Sequence, residues 1–145
     1  MPMQTLIIQH DYPVQPARLW AIATDCAALG VAKAKGARSP THAVTGQMLH
    51  LRIPVLGLRR SHVIHIALCD DARMILRTHE QGRGGHRWRL TLAVTPAGTG
   101  SRLTERVELD AGFLNPIQSL WAREHYARRH AARLRLLEAE DGLSR

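Results

Sequence analysis

A chain of 145 residues, 45% hydrophobic and 22% charged, is the size of one domain with a real core, and this composition excludes extensive disorder. Its formal net charge of +8 comes almost wholly from arginine, Lys33 and Lys35 being the only lysines, so its surface attracts anions. Cys26 and Cys69 have no paired spacing, which suggests neither a disulfide framework nor a zinc site, and no apolar stretch approaches the ~20 residues that span a bilayer. The expectation is a single soluble, cytoplasmic domain over residues 1–145, without membrane insertion.

Thr5 to His10 is rich in β-formers and is ended by Pro13 and Pro16, so strand one is short. A helix follows, with Pro16 near its start and Leu19, Trp20, Ile22 and Ala23 as its buried face before Asp25. Cys26 to Val31 reads as a second short helix with Gly30 near its end, and Lys33 to Gly36 as exposed connector. From Ala37 to Ala111, runs with period-two alternation recur between turn signals. They place strands near Arg38–Val44, Gln47–Ile53, Ser61–Leu68, Arg73–Glu80, His86–Thr95 and Arg102–Asp110. The separators are Gly46, Pro54 to Arg60, Asp70–Asp71, Gly82 to Gly85 and Pro96 to Gly100. Each is short enough to join antiparallel neighbours.

Asn115 to about Glu138 reads as one long closing helix, with Pro116 suited to its first position. Ile117, Leu120, Trp121, Ala127, Ala131 and Leu134 recur at steps of three and four and form its expected inward stripe. Arg123, Tyr126, Arg129, Arg133 and Leu137 fall on the opposite side. Alternation likewise sorts the strands. His62 shares the inward parity of Ile64, Ile66 and Leu68; His86 that of Trp88, Leu90, Leu92 and Val94; Glu105 that of Leu103, Val107 and Leu109. The outward parity carries His65, Arg87, Arg89, Arg102, Arg106 and Glu108, a basic, solvated surface.

The order of strand, two short helices, six strands and a long closing helix resembles the START-like, Bet v 1-like superfamily, which includes polyketide cyclase/dehydrase-type proteins. The local likeness lies in His10-Asp11-Tyr12-Pro13-Val14-Gln15-Pro16-Ala17-Arg18-Leu19-Trp20 through Thr24-Asp25. It is similar to the family's opening strand, proline-containing link, and helix with a Leu/Val-Trp pair ending in Asp. The resemblance implies an α+β helix-grip fold: a curved antiparallel sheet of about seven strands wrapped on a long C-terminal helix, with a cavity for a hydrophobic small molecule. This sequence departs where members often place an aromatic shortly after that Asp, since Cys26-Ala27-Ala28-Leu29-Gly30 follows. Ligand contacts from the second helix are therefore not carried over.

The nine histidines do not form a metal pattern. His62 and His65 are three apart on a strand and face opposite sides, while His125 and His130 are five apart on a helix, about 140° round its axis. Gly82-Arg83-Gly84-Gly85 lacks the Lys-Ser/Thr of a phosphate loop and lies between strands, so it reads as a hairpin turn. No cofactor motif is present. The informative residues are the acids on apolar faces, Glu105 among Leu103, Val107 and Leu109, and Glu124 between Trp121 and Ala127, because an unpartnered buried carboxylate is costly. Two readings stand: Glu124 pairs with Arg128 and Glu105 with a neighbouring arginine, or both carboxylates contact a ligand from opposite walls of one interior space.

The function expected is binding, with transport or conversion left open, of a hydrophobic or amphipathic small molecule between sheet and closing helix. The expected ligand contacts are Glu105, Glu124, Trp88, His62, His86, Met74, Leu120 and Trp121. Were a reaction catalysed, Glu105, His62 or His86 would serve as acid or base, desolvation raising a carboxylate toward neutrality. The alternative is an interaction module of chaperone- or ribosome-associated type acting through the basic outer face. A specific nucleic-acid reader is disfavoured, because Trp20, Trp88 and Trp121 all fall inward and leave few stacking platforms outside.

Overall fold

A computed structural model describes residues 4–25, 42–55, 58–82, 87–110 and 115–143. Its elements are β1 (Gln4–Tyr12), α1 (Pro16–Ala23), β2 (Met48–Val55), β3 (Leu58–Asp70), β4 (Ile75–Gly82), β5 (Arg87–Ala97), β6 (Gly100–Asp110) and α2 (Asn115–Leu143). The strands form one curved antiparallel sheet in the order β1-β6-β5-β4-β3-β2, a meander from β2 to β6 with β1 added beside β6. No helix among the described residues is long and apolar enough to cross a membrane.

Among the described residues the sheet has six strands rather than about seven. Of the strand expected at Arg38–Val44, residues 38–41 lie outside the described residues, and His42 makes only an isolated bridge to Asp25. The Ala43 amide donates to the Thr24 carbonyl at 2.7 Å, so this stretch is tied to the end of α1 rather than to the sheet. The chain then turns at Gly46, whose φ of 91° suits glycine. The short helix expected at Cys26–Val31 also lies outside the described residues.

Alternation placed the strand faces well. Trp88, Leu90, Leu92 and Val94 of β5 and Leu103, Glu105, Val107 and Leu109 of β6 are buried, while Arg87, Arg89, Arg102 and Arg106 are exposed. In β3, His62, Ile64 and Ile66 are buried, but Leu68 is only half-buried because the register with β4 shifts between Ile66 and Leu68. β4 begins at Ile75, two residues later than expected. The Asp70 carboxylate accepts the Arg73 amide at 3.1 Å, and Met74, at φ 55°, completes the turn. α1 starts on Pro16 and buries Leu19, Trp20, Ile22 and Ala23.

The closing helix corrects the largest expectation. It runs to Leu143, beyond Glu138, and its buried positions are Ala122, His125, Tyr126, Arg129, Arg133 and Leu137. Leu120 is 71% and Leu134 40% exposed, and Ala127 and Ala131 are also exposed. The side chains of Ile117 and Trp121 lie outside the described residues. The buried stripe still follows steps of three and four, but it is the side the sequence reading placed opposite the inward stripe, with Arg129 and Arg133 buried in it. Those arginines find carboxylates on the sheet, so burying them leaves no unpaired charge.

This orientation makes a direct prediction. Leu120→Ser and Leu134→Ser should each leave the unfolding free energy within about 0.5 kcal/mol, whereas Leu137→Ala should lower it by about 2–5 kcal/mol. Urea unfolding measures all three, and the reverse order of sensitivities would mean that the opposite face is buried.

Candidate functional site

The inner face of the sheet and the buried stripe of α2 enclose a charged interior. Glu80 is its centre. In β4 it follows Leu76 and Thr78 at period two, which carries its carboxylate inward. Its Oε1 accepts from Arg129 Nη2 at 2.9 Å and from His62 Nε2 at 2.8 Å, and its Oε2 accepts the Thr78 hydroxyl at 2.8 Å. One strand pair away, Glu105 Oε1 accepts from Arg133 Nη1 at 3.0 Å, both side chains being 0% exposed. Two aromatic groupings flank these pairs. His62, Trp88, His125 and Tyr126 cluster on one side. On the other, His10 stacks on His130 with ring centroids 3.8 Å apart, and Tyr12 Oη lies 2.5 Å from His130 Nδ1.

The ionisation states follow from burial and neighbours. Burial alone would raise the Glu80 carboxyl, but the Arg129 guanidinium and the His62 N–H outweigh it and hold the group far below the ordinary carboxylate value. Burial, reinforced by Arg129, pushes His125 well below 6.5 and leaves it a neutral imidazole. Burial also lowers His10 and His130, and it raises Tyr126, with Glu80 adding to that rise, so the phenol stays protonated.

The expected contacts are only partly brought together. Glu105, Trp88 and His62 line this interior. Leu120 and Glu124 do not: both are on the exposed side of α2, where Glu124 accepts from Arg128 Nη2 at 2.7 Å, one turn on. The idea that Glu105 and Glu124 face one space is therefore corrected, and the expected pairing of Glu105 with an arginine takes the form of Arg133. That pair is fully buried. Met74 is half-buried beside the core, while His86 and the Trp121 side chain lie outside the described residues. Sequence reasoning missed Glu80, Arg129, Arg133 and Tyr126. The parity of Glu80 with Leu76 was a usable signal, and so was the four-residue step from Arg129 to Arg133 on one helix face.

The ligand atoms of His62, Glu80 and His125 lie within 4.8 Å of one another, a grouping that their sequence spacing hid. Arg129 is bonded to the same Glu80 oxygen as His62, however, so the positive charge that this carboxylate calls for is already supplied by the protein. On the outer face, concavities of about 240 and 410 Å³ meet the basic surface, with Arg77, His79, Arg89, Arg106 and Glu108 among their lining residues. Ala127 and Ala131, placed on the inward stripe by the sequence reading, are exposed on the side of α2 away from the sheet.

No family model and no curated protein matches the chain. Solved structures do resemble it. Ara h 8.0201 is 15% identical with a TM-score of 0.70, covering 94% of this chain and 99% of its own. Ms6760 from Mycobacterium smegmatis is 14% identical with a TM-score of 0.68 over 94% and 96%. DynU16, from the dynemicin biosynthetic locus, is 15% identical with a TM-score of 0.65 over 94% of this chain but 48% of its own. The chain has the START-like, Bet v 1-like helix-grip fold.

The lowered groups set a pH dependence. His10, His125 and His130 titrate below 6.5 when folded, so the unfolded chain binds more protons as pH falls through 6.5 and stability drops with it. Glu80, depressed from 4.5, adds a second loss below that value. Urea unfolding between pH 8 and 4 should show stability falling from pH 7 to 5, with a shallower fall in His125→Gln. A flat profile across that window would contradict these assignments.

Proposed function

We propose that this helix-grip chain binds an amphipathic small molecule between sheet and closing helix, with a polar, acceptor-bearing end directed at the buried arginines. One observation carries the reading. Each guanidinium spends one nitrogen on its carboxylate, while Arg129 Nε and Nη1 and Arg133 Nε and Nη2 are buried without a hydrogen-bond partner. Glu105 Oε2 is in the same condition. Buried donors are costly unless satisfied, and a carboxylate, enolate, phenolate or carbonyl of a ligand would satisfy them. Trp88, Leu90, Leu92 and Val107 supply apolar surface for the remainder of such a molecule. The contacts proposed are thus Glu105, Trp88 and His62 from the sequence reading, joined by Glu80, Tyr126, Arg129 and Arg133. Binding rather than acid–base chemistry is the reading, because both carboxylates are committed to guanidinium partners.

A second reading has its own observation: the cross-strand grouping of Arg77, Arg89 and Arg106 around an outer concavity, which fits an anionic partner.

Titration with 8-anilinonaphthalene-1-sulfonate, an apolar fluorophore bearing an anion, separates the two. Saturable fluorescence is expected, and the paired change Glu80→Gln with Arg129→Met, which leaves no lone buried charge, should weaken it at least tenfold. Native mass spectrometry of freshly purified protein should show a co-purifying small molecule. Loss of dye binding in Arg77→Gln/Arg89→Gln/Arg106→Gln, with the interior variant unaffected, would favour the outer face. Absence of saturable binding would overturn the interior reading.

A further inference from the structure

Far from the charged interior, the corner where α1 meets the β3–β4 turn gathers three residues that are distant in sequence. His42 Nε2 lies 2.9 Å from Asp71 Oδ1 and 3.8 Å from Cys69 Sγ, and that sulfur is 4.0 Å from the same Asp71 oxygen. The site is open to water, the His42 and Asp71 side chains being 44% and 66% exposed.

Hydrogen bonding fixes what the imidazole presents. The Thr24 hydroxyl donates to the Trp20 carbonyl at 2.7 Å, the usual back-bond of a threonine at a helix end. Its oxygen is then left to accept, at 2.9 Å, from His42 Nδ1–H. In that tautomer Nε2 of the neutral ring would turn its lone pair toward a carboxylate oxygen and a sulfur. The Cys69 thiol points its proton at Asp71 Oδ1, and once that proton is lost three lone-pair-bearing atoms face one another, an arrangement that favours a cation among them. A second proton on the imidazole would serve the carboxylate alone, whereas a metal ion serves all three.

A metal could be seated here by small side-chain adjustments. Tetrahedral zinc, with bonds of about 2.3 Å to sulfur, about 2.0–2.1 Å to imidazole nitrogen and about 2.0–2.2 Å to carboxylate oxygen, sets its ligand atoms roughly 3.4–3.6 Å apart. Seating the ion would open the His42–Asp71 separation of 2.9 Å and draw the sulfur in from 3.8 and 4.0 Å, each by roughly half an ångström or less. Each ligand is also held from behind, the pattern that orients metal ligands elsewhere. Thr24 fixes the His42 ring, Trp20 Nε1 donates to Asp71 Oδ1 at 2.8 Å, and the Cys69 amide donates to Thr45 Oγ1 at 2.9 Å.

We propose that His42 Nε2, Cys69 Sγ and Asp71 Oδ1 form a binding site for a thiophilic divalent cation of the zinc class, with a fourth position open to water. The mixed nitrogen, sulfur and oxygen set selects against magnesium and calcium, which take oxygen ligands. Binding takes the sulfur as thiolate and releases its proton to solvent.

The full-length chain titrated with Co²⁺, a spectroscopic substitute for zinc, tests this. One equivalent should produce thiolate-to-cobalt charge-transfer absorption in the near ultraviolet with visible bands of a tetrahedral ion, and Zn²⁺ should displace it. The signal should survive Cys26→Ser, disappear in Cys69→Ser, and weaken at least tenfold in His42→Gln. In the Cys26→Ser protein, Zn²⁺ should also slow alkylation of Cys69 by iodoacetamide, a readout that keeps the test valid if Cys69→Ser does not fold. No saturable absorption, absorption that persists without Cys69, or no zinc protection of that thiol would overturn the proposal.

Discussion

Two arginine side chains lie under a helix with nowhere to place their charge except on carboxylates from the sheet. Taking a guanidinium and a carboxylate out of water costs several kcal/mol for each ion, so such a pair adds little net stability, yet breaking it leaves an uncompensated charge in an apolar medium. The helix is therefore tolerated on the sheet only in a rotation that brings Arg129 to Glu80 and Arg133 to Glu105. Those partners sit on β4 and β6, with β5 between them. Glu80 lies level with Trp88 and Leu109, and Glu105 level with Leu92, so the two carboxylates are offset along the strands as well as across them. His125 accordingly meets the β3 and β5 rings, His130 meets β1, and the Leu137 carbonyl accepts from Arg18 of α1 at 3.4 Å.

The same constraint explains what could and could not be read in advance. Strand faces were legible because period-two alternation is a local signal, and Trp88 through Val94 and Leu103 through Leu109 obey it. α1 was legible because Pro16 marks its start and Leu19, Trp20, Ile22 and Ala23 share one side. The rotation of α2 was not legible by hydrophobicity, since by sequence one side offers Ile117, Leu120, Trp121, Ala127, Ala131 and Leu134 and the other Ala122, Tyr126, Leu136 and Leu137 as apolar residues. What chooses between them is the charge on a sheet that lies 28 residues earlier for Glu105 and 49 for Glu80. The corner of His42, Cys69 and Asp71 was hidden for a similar reason, because 27 residues separate the first two.

Likeness to solved structures at 13–15% identity establishes the architecture, while what this interior can hold depends on its own side chains. Here they are polar in an unusual way. Where an oily molecule was expected, the centre of the interior holds two ion pairs with donor atoms to spare, which is why the ligand proposed above carries an anionic or carbonyl end. Neutral His125 and protonated Tyr126 keep the rest of the wall uncharged at neutral pH, so the arginine donors remain its main polar signal.

Whether Glu105 and Arg133 meet in the interior decides which face α2 turns to the sheet, and a double-mutant cycle measures that contact directly. Glu105→Gln and Arg133→Met should each cost on the order of 3–5 kcal/mol in urea unfolding, and the double variant should cost much less than their sum. Small, strictly additive losses would mean that the two side chains do not meet, and that the helix presents another face to the sheet.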